Sequence, residues 1–328
     1  MDEKKRRKKS IAVEDCQETR QLSPHTVSLC PLEDTDTQRP DILLFGASSL
    51  LGFTLARLYA NRVIPFVSPG NGTPAVSQWP ALQLHDSHWI KDIFRRISPR
   101  LVVYCHAVCD VPKCQAAPEW AYEINVRQLM RVLALLPEQT RCVYVSSDHV
   151  FGGDGVYTEA SSPCPISVYG ITRARAEELV LRRPGSLVIR VGLGIGSSPD
   201  GRKGHLNWIR YRMAKGLPIT IIHDEFRSAV WTSDLATRVM QLALSREEGL
   251  CHIPATRAVS RVELATHLFR LLGLPPTFRL ASRRQQPVPH LGRVELASLS
   301  SSPLAAPLPS ALDTGFDTTE IEAMPGLE

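Results

Sequence analysis

The chain has 328 residues, 43% of them hydrophobic, enough for one large domain or for a cofactor-binding domain that carries a smaller lobe. Its net charge of +5 is more than accounted for by one run, Lys4-Lys-Arg-Arg-Lys-Lys9, so the body is close to neutral and nucleic acid is not an expected partner. No apolar run reaches the roughly 18 residues of a membrane span and no secretory leader pattern is present, so a soluble, cytoplasmic protein without a membrane partner is expected, the basic run leaving nuclear entry open.

Residues 1 to 39 mix charge, Ser, Thr and Gln without apolar periodicity and are expected to be a disordered tail. The folded chemistry then begins abruptly. The apolar run Ile42-Leu-Leu-Phe45 reads as a buried strand, and Gly46-Ala-Ser-Ser-Leu-Leu-Gly52 follows it into an amphipathic helix after Leu50. A glycine-bearing turn between strand and helix can hold a pyrophosphate on backbone amides, with Gly46 and Gly52 in the outer glycine places and Ser49 in the middle one. A plain helix start capped by Ser48 or Ser49 is the alternative reading. The next strand, Val63–Val67, ends Pro65-Phe-Val-Ser68 without the carboxylate that would take both ribose hydroxyls of NAD, which leans to NADP.

Further on, Leu82-Gln-Leu84 reads as a third strand, followed by a helix from His88, a strand Leu101–Tyr104, a helix from Glu119 and a strand Cys142–Ser146. Such alternation predicts an α/β fold, a Rossmann-type doubly wound parallel sheet, over residues 40–191. Cys105, His106, Cys109 and Cys114 lie close together, but their spacing matches no common zinc pattern, and no metal is expected. The eight cysteines form no even framework and are expected as free thiols.

Ser146-Ser147-Asp148 follows the strand ending at Ser146, and Tyr169-Gly-Ile-Thr-Arg173 opens a helix before the strand Leu187–Val191. A phenol at Tyr169 can donate a proton to a carbonyl oxygen as hydride arrives. A cation one turn on at Arg173 would lower its pKa, and Ser147 adds a second hydroxyl. Residues 192–297, with helical stretches at Leu206–Ala214, Thr232–Leu244 and Ser260–Leu272, are expected to form mainly a smaller substrate-binding lobe, and the Ser- and Pro-rich stretch 298–328 a second disordered tail.

Together with Val103-Tyr-Cys-His-Ala107, Glu123-Ile-Asn125-Val, Val145-Ser-Ser-Asp-His-Val-Phe-Gly152, Tyr157-Thr-Glu159 and Ile189-Arg190, these segments resemble the extended short-chain dehydrogenase/reductases. Within that superfamily the chain resembles the dTDP-4-dehydrorhamnose reductase (RmlD-like) family, which includes the regulatory beta subunit of methionine adenosyltransferase. The resemblance implies reduction of a 4-keto nucleotide sugar with NADP or NAD. It implies cofactor contacts from Gly46, Ser48, Ser49, Leu50, Leu51 and Gly52, adenine contact from Asp86, and a nicotinamide side lined by Cys105, His106 and Ala107. Tyr169 would be the acid with Ser147 as partner, and Arg173 would stand where the family keeps lysine. Asp148, His149 and Arg227 would face the substrate, Arg227 through its phosphate or sugar. Arginine keeps the charge on a bulkier, forked head, and Cys105-His106-Ala107 stands where the enzymes usually show Asn-Ala-Ala. These departures support an alternative, a catalytically weak or inactive NADP-binding regulatory subunit with a protein partner.

Overall fold

In the computed structural model, residues 40–70 and 73–308 are described. The expected tail 1–39 lies outside them, as does 309–328. The first strand, β1 (Ile42–Phe45), is wholly buried and alternates its side chains between two cores. Ile42 and Leu44 face one layer, Leu43 and Phe45 the other, as period-two geometry requires of a strand covered on both sides. Beside it run β2 (Val63–Phe66), β3 (Leu101–Tyr104), β4 (Arg141–Val145), β6 (Leu187–Val191) and β10 (Gly249–Ile253) in a six-stranded parallel sheet of order β10-β6-β4-β3-β1-β2.

Helices α1 (Leu50–Leu58) and α8 (Thr232–Leu244) cover one face. Helices α2 (Ser87–Ile97), α5 (Gln128–Leu135) and α6 (Val168–Leu181) cover the other. Short helices α3 (Val111–Ala116) and α4 (Pro118–Tyr122) lead through a π-helical turn at Glu123–Arg127 into α5.

The remaining elements build a second layer. Strands β5 (Gly155–Tyr157), β7 (Leu193–Ile195), β9 (Phe226–Trp231), β11 (Ala258–Ser260) and β13 (Arg293–Leu296) form a five-stranded sheet. Strands β8 (Thr220–Ile222) and β12 (Arg279–Ala281) pair separately. Helices α7 (His205–Ala214) and α9 (Arg261–Leu271) pack with them around Ile195, Ile209, Ile221, Val259, Leu268 and Phe269.

Three expectations change in the structure. Leu82-Gln-Leu84 is not a strand: Ala81 makes one isolated bridge to Val67, and Leu82 and Leu84 turn inward from a loop. The stretch 192–297 is divided, because α8 and β10 return to the large sheet while the rest builds the second layer. From 298 the chain stays packed through Leu308: Leu304 bridges Ala255, and Leu308 is buried.

Candidate active site

Gly46 has φ +91°, and a β-carbon there would sit 2.5 Å from the His106 nitrogen. One on Gly52 would lie 2.2 Å from the Gly46 carbonyl oxygen. Gly46 therefore lets the turn press against the end of β3, where the Cys105-His106-Ala107 segment begins, and Gly52 lets α1 close on the turn. Ser49 caps α1, its hydroxyl accepting the Gly52 N–H at 3.0 Å. The Ser48 hydroxyl accepts the Ser68 N–H at 3.1 Å, tying the turn to the end of β2.

His106 is held beneath this turn. Its Nδ1 lies 3.0 Å from the Ser68 hydroxyl and its Nε2 3.0 Å from Gln128 Oε1. Burial lowers its pKa to about 4, so the ring is neutral near pH 7, donating to the Gln128 oxygen and accepting from Ser68. Cys105 is half-buried, and burial raises its thiol to about 12. Among the described residues no group of three or more His, Cys, Asp or Glu side chains is placed to hold a metal ion. Asp86, at the end of the loop that replaces the expected third strand, caps α2 by accepting the His88 N–H at 2.8 Å.

Tyr169, in the first turn of α6, is 6% exposed. Burial raises its pKa; Arg173 and a hydrogen bond with Ser147 act against that rise without overcoming it. The expectation of a lowered phenol pKa is thus corrected: Arg173 has the expected sign, but desolvation is larger. Nor are Tyr169 and Arg173 a surface pair, since Arg173 is only 3% exposed. Its guanidinium donates to the Val145 carbonyl and lies 4.6 Å above the Tyr144 ring and 5.9 Å from that of Tyr169. Its Nε has no hydrogen-bond partner among the described residues. Cys105 and His106, just past the end of β3, both feel its charge.

Ser147 caps the short turn Asp148–Val150 and donates to Asp148 Oδ1 at 3.2 Å. Asp148 is fully buried, and its carboxylate is gripped by Arg227, whose Nε donates at 2.6 Å and whose second nitrogen completes a bidentate pair. The remaining arginine nitrogen lies 3.2 Å from Glu225 Oε1 and 3.3 Å from His149 Nε2. Arg227 is 4% exposed. Expected to meet a substrate's phosphate or sugar, it instead spends its donors inside the protein. His149 stands edge-on to Tyr169, ring centroids 5.1 Å apart, with its pKa lowered to about 4 chiefly by burial.

Several supporting residues carry no obvious signal in the sequence. Asn125, in the π-helical turn, accepts the Val108 N–H at 2.8 Å and donates to Thr172 Oγ1 at 2.9 Å; Thr172 in turn donates to the Tyr169 carbonyl. Glu177 takes the Ser146 hydroxyl and the buried Arg190 guanidinium, locking α6 to β4 and β6. A motif containing Asn125 and another containing Arg190 were visible; what they hold was not.

Comparison with known proteins agrees with this fold. The family described as RmlD substrate binding domain matches residues 40–312. A probable dTDP-4,6-dihydroxy-2-methyloxan-3-one 4-ketoreductase of Streptomyces antibioticus is 29% identical over 261 residues, covering 75% of this chain and 84% of that protein. The methionine adenosyltransferase 2 subunit beta of Danio rerio is 24% identical over 277 residues, covering 79% and 85%. Among solved structures, a hypothetical dTDP-4-dehydrorhamnose reductase from Sulfolobus tokodaii superposes with a TM-score of 0.67 at 25% identity, covering 78% of this chain and 90% of that one. The Bacillus anthracis dTDP-4-dehydrorhamnose reductase in complex with NADP superposes with a TM-score of 0.68 at 19% identity, covering 79% and 90%. With a glycine turn, a buried tyrosine and a serine after β4 set on a doubly wound sheet, and with the family match running through the whole described body, the chain belongs to the RmlD substrate binding domain family.

Proposed function

We propose that this protein is an NAD(P)H-dependent reductase of a 4-keto nucleotide sugar. One observation supports the reading: Ser147 and the Arg173 guanidinium, 5.9 Å from the ring, both bear on the buried Tyr169 phenol, in a sheet whose first strand runs into the Gly46–Gly52 turn. The site fits a dinucleotide. The turn makes the close backbone approach a pyrophosphate needs; Cys105, His106 and Ala107 would flank the nicotinamide side, and Asp86 would lie toward the adenine. The lack of a carboxylate from Val67 to Gly70 leans to NADP.

When bound, the reduced cofactor supplies the hydride. The protein supplies the proton and the charge. Tyr169, whose raised pKa keeps it protonated at neutral pH, donates its phenolic proton to the substrate's carbonyl oxygen, while the Ser147 hydroxyl donates a hydrogen bond to the same oxygen. Arg173 stabilises the phenolate that this transfer leaves behind. Asn125, through Thr172, holds the first turn of α6 so that the phenol keeps its direction.

A second reading is favoured by one feature. Arg173 donates to a backbone carbonyl and stacks on Tyr144, so less of it is available to a ribose than of a slender ammonium. That supports a nucleotide-binding regulatory subunit with little turnover of its own. Titration with NADPH and NADH, with Tyr169→Phe as the paired sample, separates the two. Cofactor oxidation on addition of 4-keto nucleotide sugars, lost in the variant, supports the reductase; binding without oxidation in either protein rejects it.

A further inference from the structure

Helices α7 and α9 pack together in the second layer, and toward their C-terminal ends they leave a groove of about 460 Å³. Met213, Ala214, Leu271, Leu272 and Leu274 line it, with Arg210. Leu271 is 50% exposed, and Leu217, just after α7, is 40% exposed. A single exposed leucine on a surface is ordinary. A concave apolar lining left partly in water is the form of a surface that another segment covers.

The chain around this groove carries charge of one sign. Neither 205–222 nor 264–281 contains an acidic residue, while together they hold Arg210, Arg212, Lys215, Arg270 and Arg279. Arg212 is occupied, donating to the Pro218 carbonyl at 2.7 Å. Arg210, Lys215 and Arg270 are exposed, with no carboxylate in either stretch to answer them. The segment 309–328 has the opposite character. It holds Asp313, Asp317, Glu320, Glu322 and Glu328, no lysine or arginine, and apolar side chains at Leu312, Phe316, Ile321 and Met324.

The described chain also leads toward the groove. Ala306 donates its N–H to Thr256 Oγ1 at 3.1 Å, shortly before β11 and α9, and Leu308 is buried in the same core against which Met213, Leu272 and Leu274 pack. From its first residue to Leu271, α9 rises about 15 Å. Leu312 and Phe316 follow Leu308 after about 13 and 26 Å of extended chain, so both are within reach of the far end of that helix.

We infer that the segment 309–328 folds back onto this groove, seating Leu312 and Phe316 against Met213, Leu271 and Leu274 and setting Asp313 and Asp317 against Arg210, Lys215 and Arg270. Burial of the two apolar side chains supplies the affinity. The exposed ion pairs add little singly and decide which segment is accepted. This docking is independent of the chemistry at Tyr169 and holds whether or not the protein turns over a substrate.

The test is hydrogen exchange followed by mass spectrometry on the full chain, comparing the unaltered protein with Phe316→Asp and with Arg210→Glu combined with Arg270→Glu. Amides of 211–217 and 270–274 are expected to exchange about tenfold or more faster in both variants, while those of β1 and β3 stay unchanged and show that each variant is folded. Adding Asp313→Lys and Asp317→Lys to the charge-reversed chain is expected to restore the protection. Equal exchange in the unaltered protein and Phe316→Asp overturns the proposal. So does protection in the unaltered protein that disappears on dilution, which assigns the groove to a second copy of the chain.

Discussion

Asp148, immediately after the catalytic candidate Ser147, is joined by a bidentate ion pair to Arg227 on β9, a residue 79 positions further along the chain. Asp148 is 0% exposed and Arg227 4%, so the pair clamps the loop after β4 of the large sheet to the second sheet. Its cost of desolvation is met only while both partners are present.

Arg227→Gln is therefore expected to leave a buried carboxylate unpaired and to destabilise the protein by about 3–5 kcal/mol. Thermal or urea unfolding checks this. A shift below about 1 kcal/mol would mean that Asp148 reaches water or another partner once the arginine is gone.

The pH dependence of turnover follows from the direction in which Tyr169 is moved. Because its folded pKa lies above 10, the phenol is protonated throughout the neutral range. Carbonyl reduction is expected to be flat from about pH 6 to 9 with respect to this group and to fall only above its pKa; the reverse oxidation, which needs the phenolate, should rise toward alkaline pH. Arg173→Met removes the strongest influence opposing the burial of Tyr169 and should push the alkaline limb higher while lowering kcat. A profile unmoved by Arg173→Met would remove Arg173 from the mechanism.

His106 ties stability to pH. Its folded pKa is about 4 against an ordinary value of 6.5, so between these values the unfolded chain binds a proton that the folded one refuses. Stability is complete above about pH 6.5 and declines as pH falls toward 4, by up to about 3 kcal/mol from this 6%-exposed group. Urea unfolding across that window should show the slope, and His106→Asn should flatten it.

Gly46→Ala tests the turn. With φ at +91° and a new methyl carbon 2.5 Å from the His106 nitrogen, the substitution forces the turn away from β3. We expect a loss of roughly 1–3 kcal/mol in stability and loss of measurable NADPH binding, read by thermal shift and by fluorescence titration.

Two further expectations turn on burial. The phenol of Tyr169 was expected to have a lowered pKa because Arg173 follows it by one helical turn; that spacing conveys the sign of one interaction and nothing of how deeply both groups are buried. The Ser- and Pro-rich stretch after residue 298 carries the composition of a tail, yet Leu304 and Leu308 find apolar partners as far as the described residues extend.

Local pattern was enough for five of the six strands of the large sheet and for naming candidate site residues; it missed β10 and turned the loop at Leu82–Leu84 into a strand. Strands buried on both faces must be continuously apolar, so Ile42–Phe45, Leu101–Tyr104 and Leu187–Val191 could be read directly, as could a glycine turn that only a strand–helix junction requires. Ser147, Tyr169 and Arg173 stand out as candidates for the same reason: the chemistry proposed for them depends on spacing within short segments. That Arg227 is satisfied inside the protein was decided only by the tertiary structure. Its segment carries no sign of its partners, and it is the carboxylates of Asp148 and Glu225, brought to it by loop closure and by the strand it shares, that consume its donors.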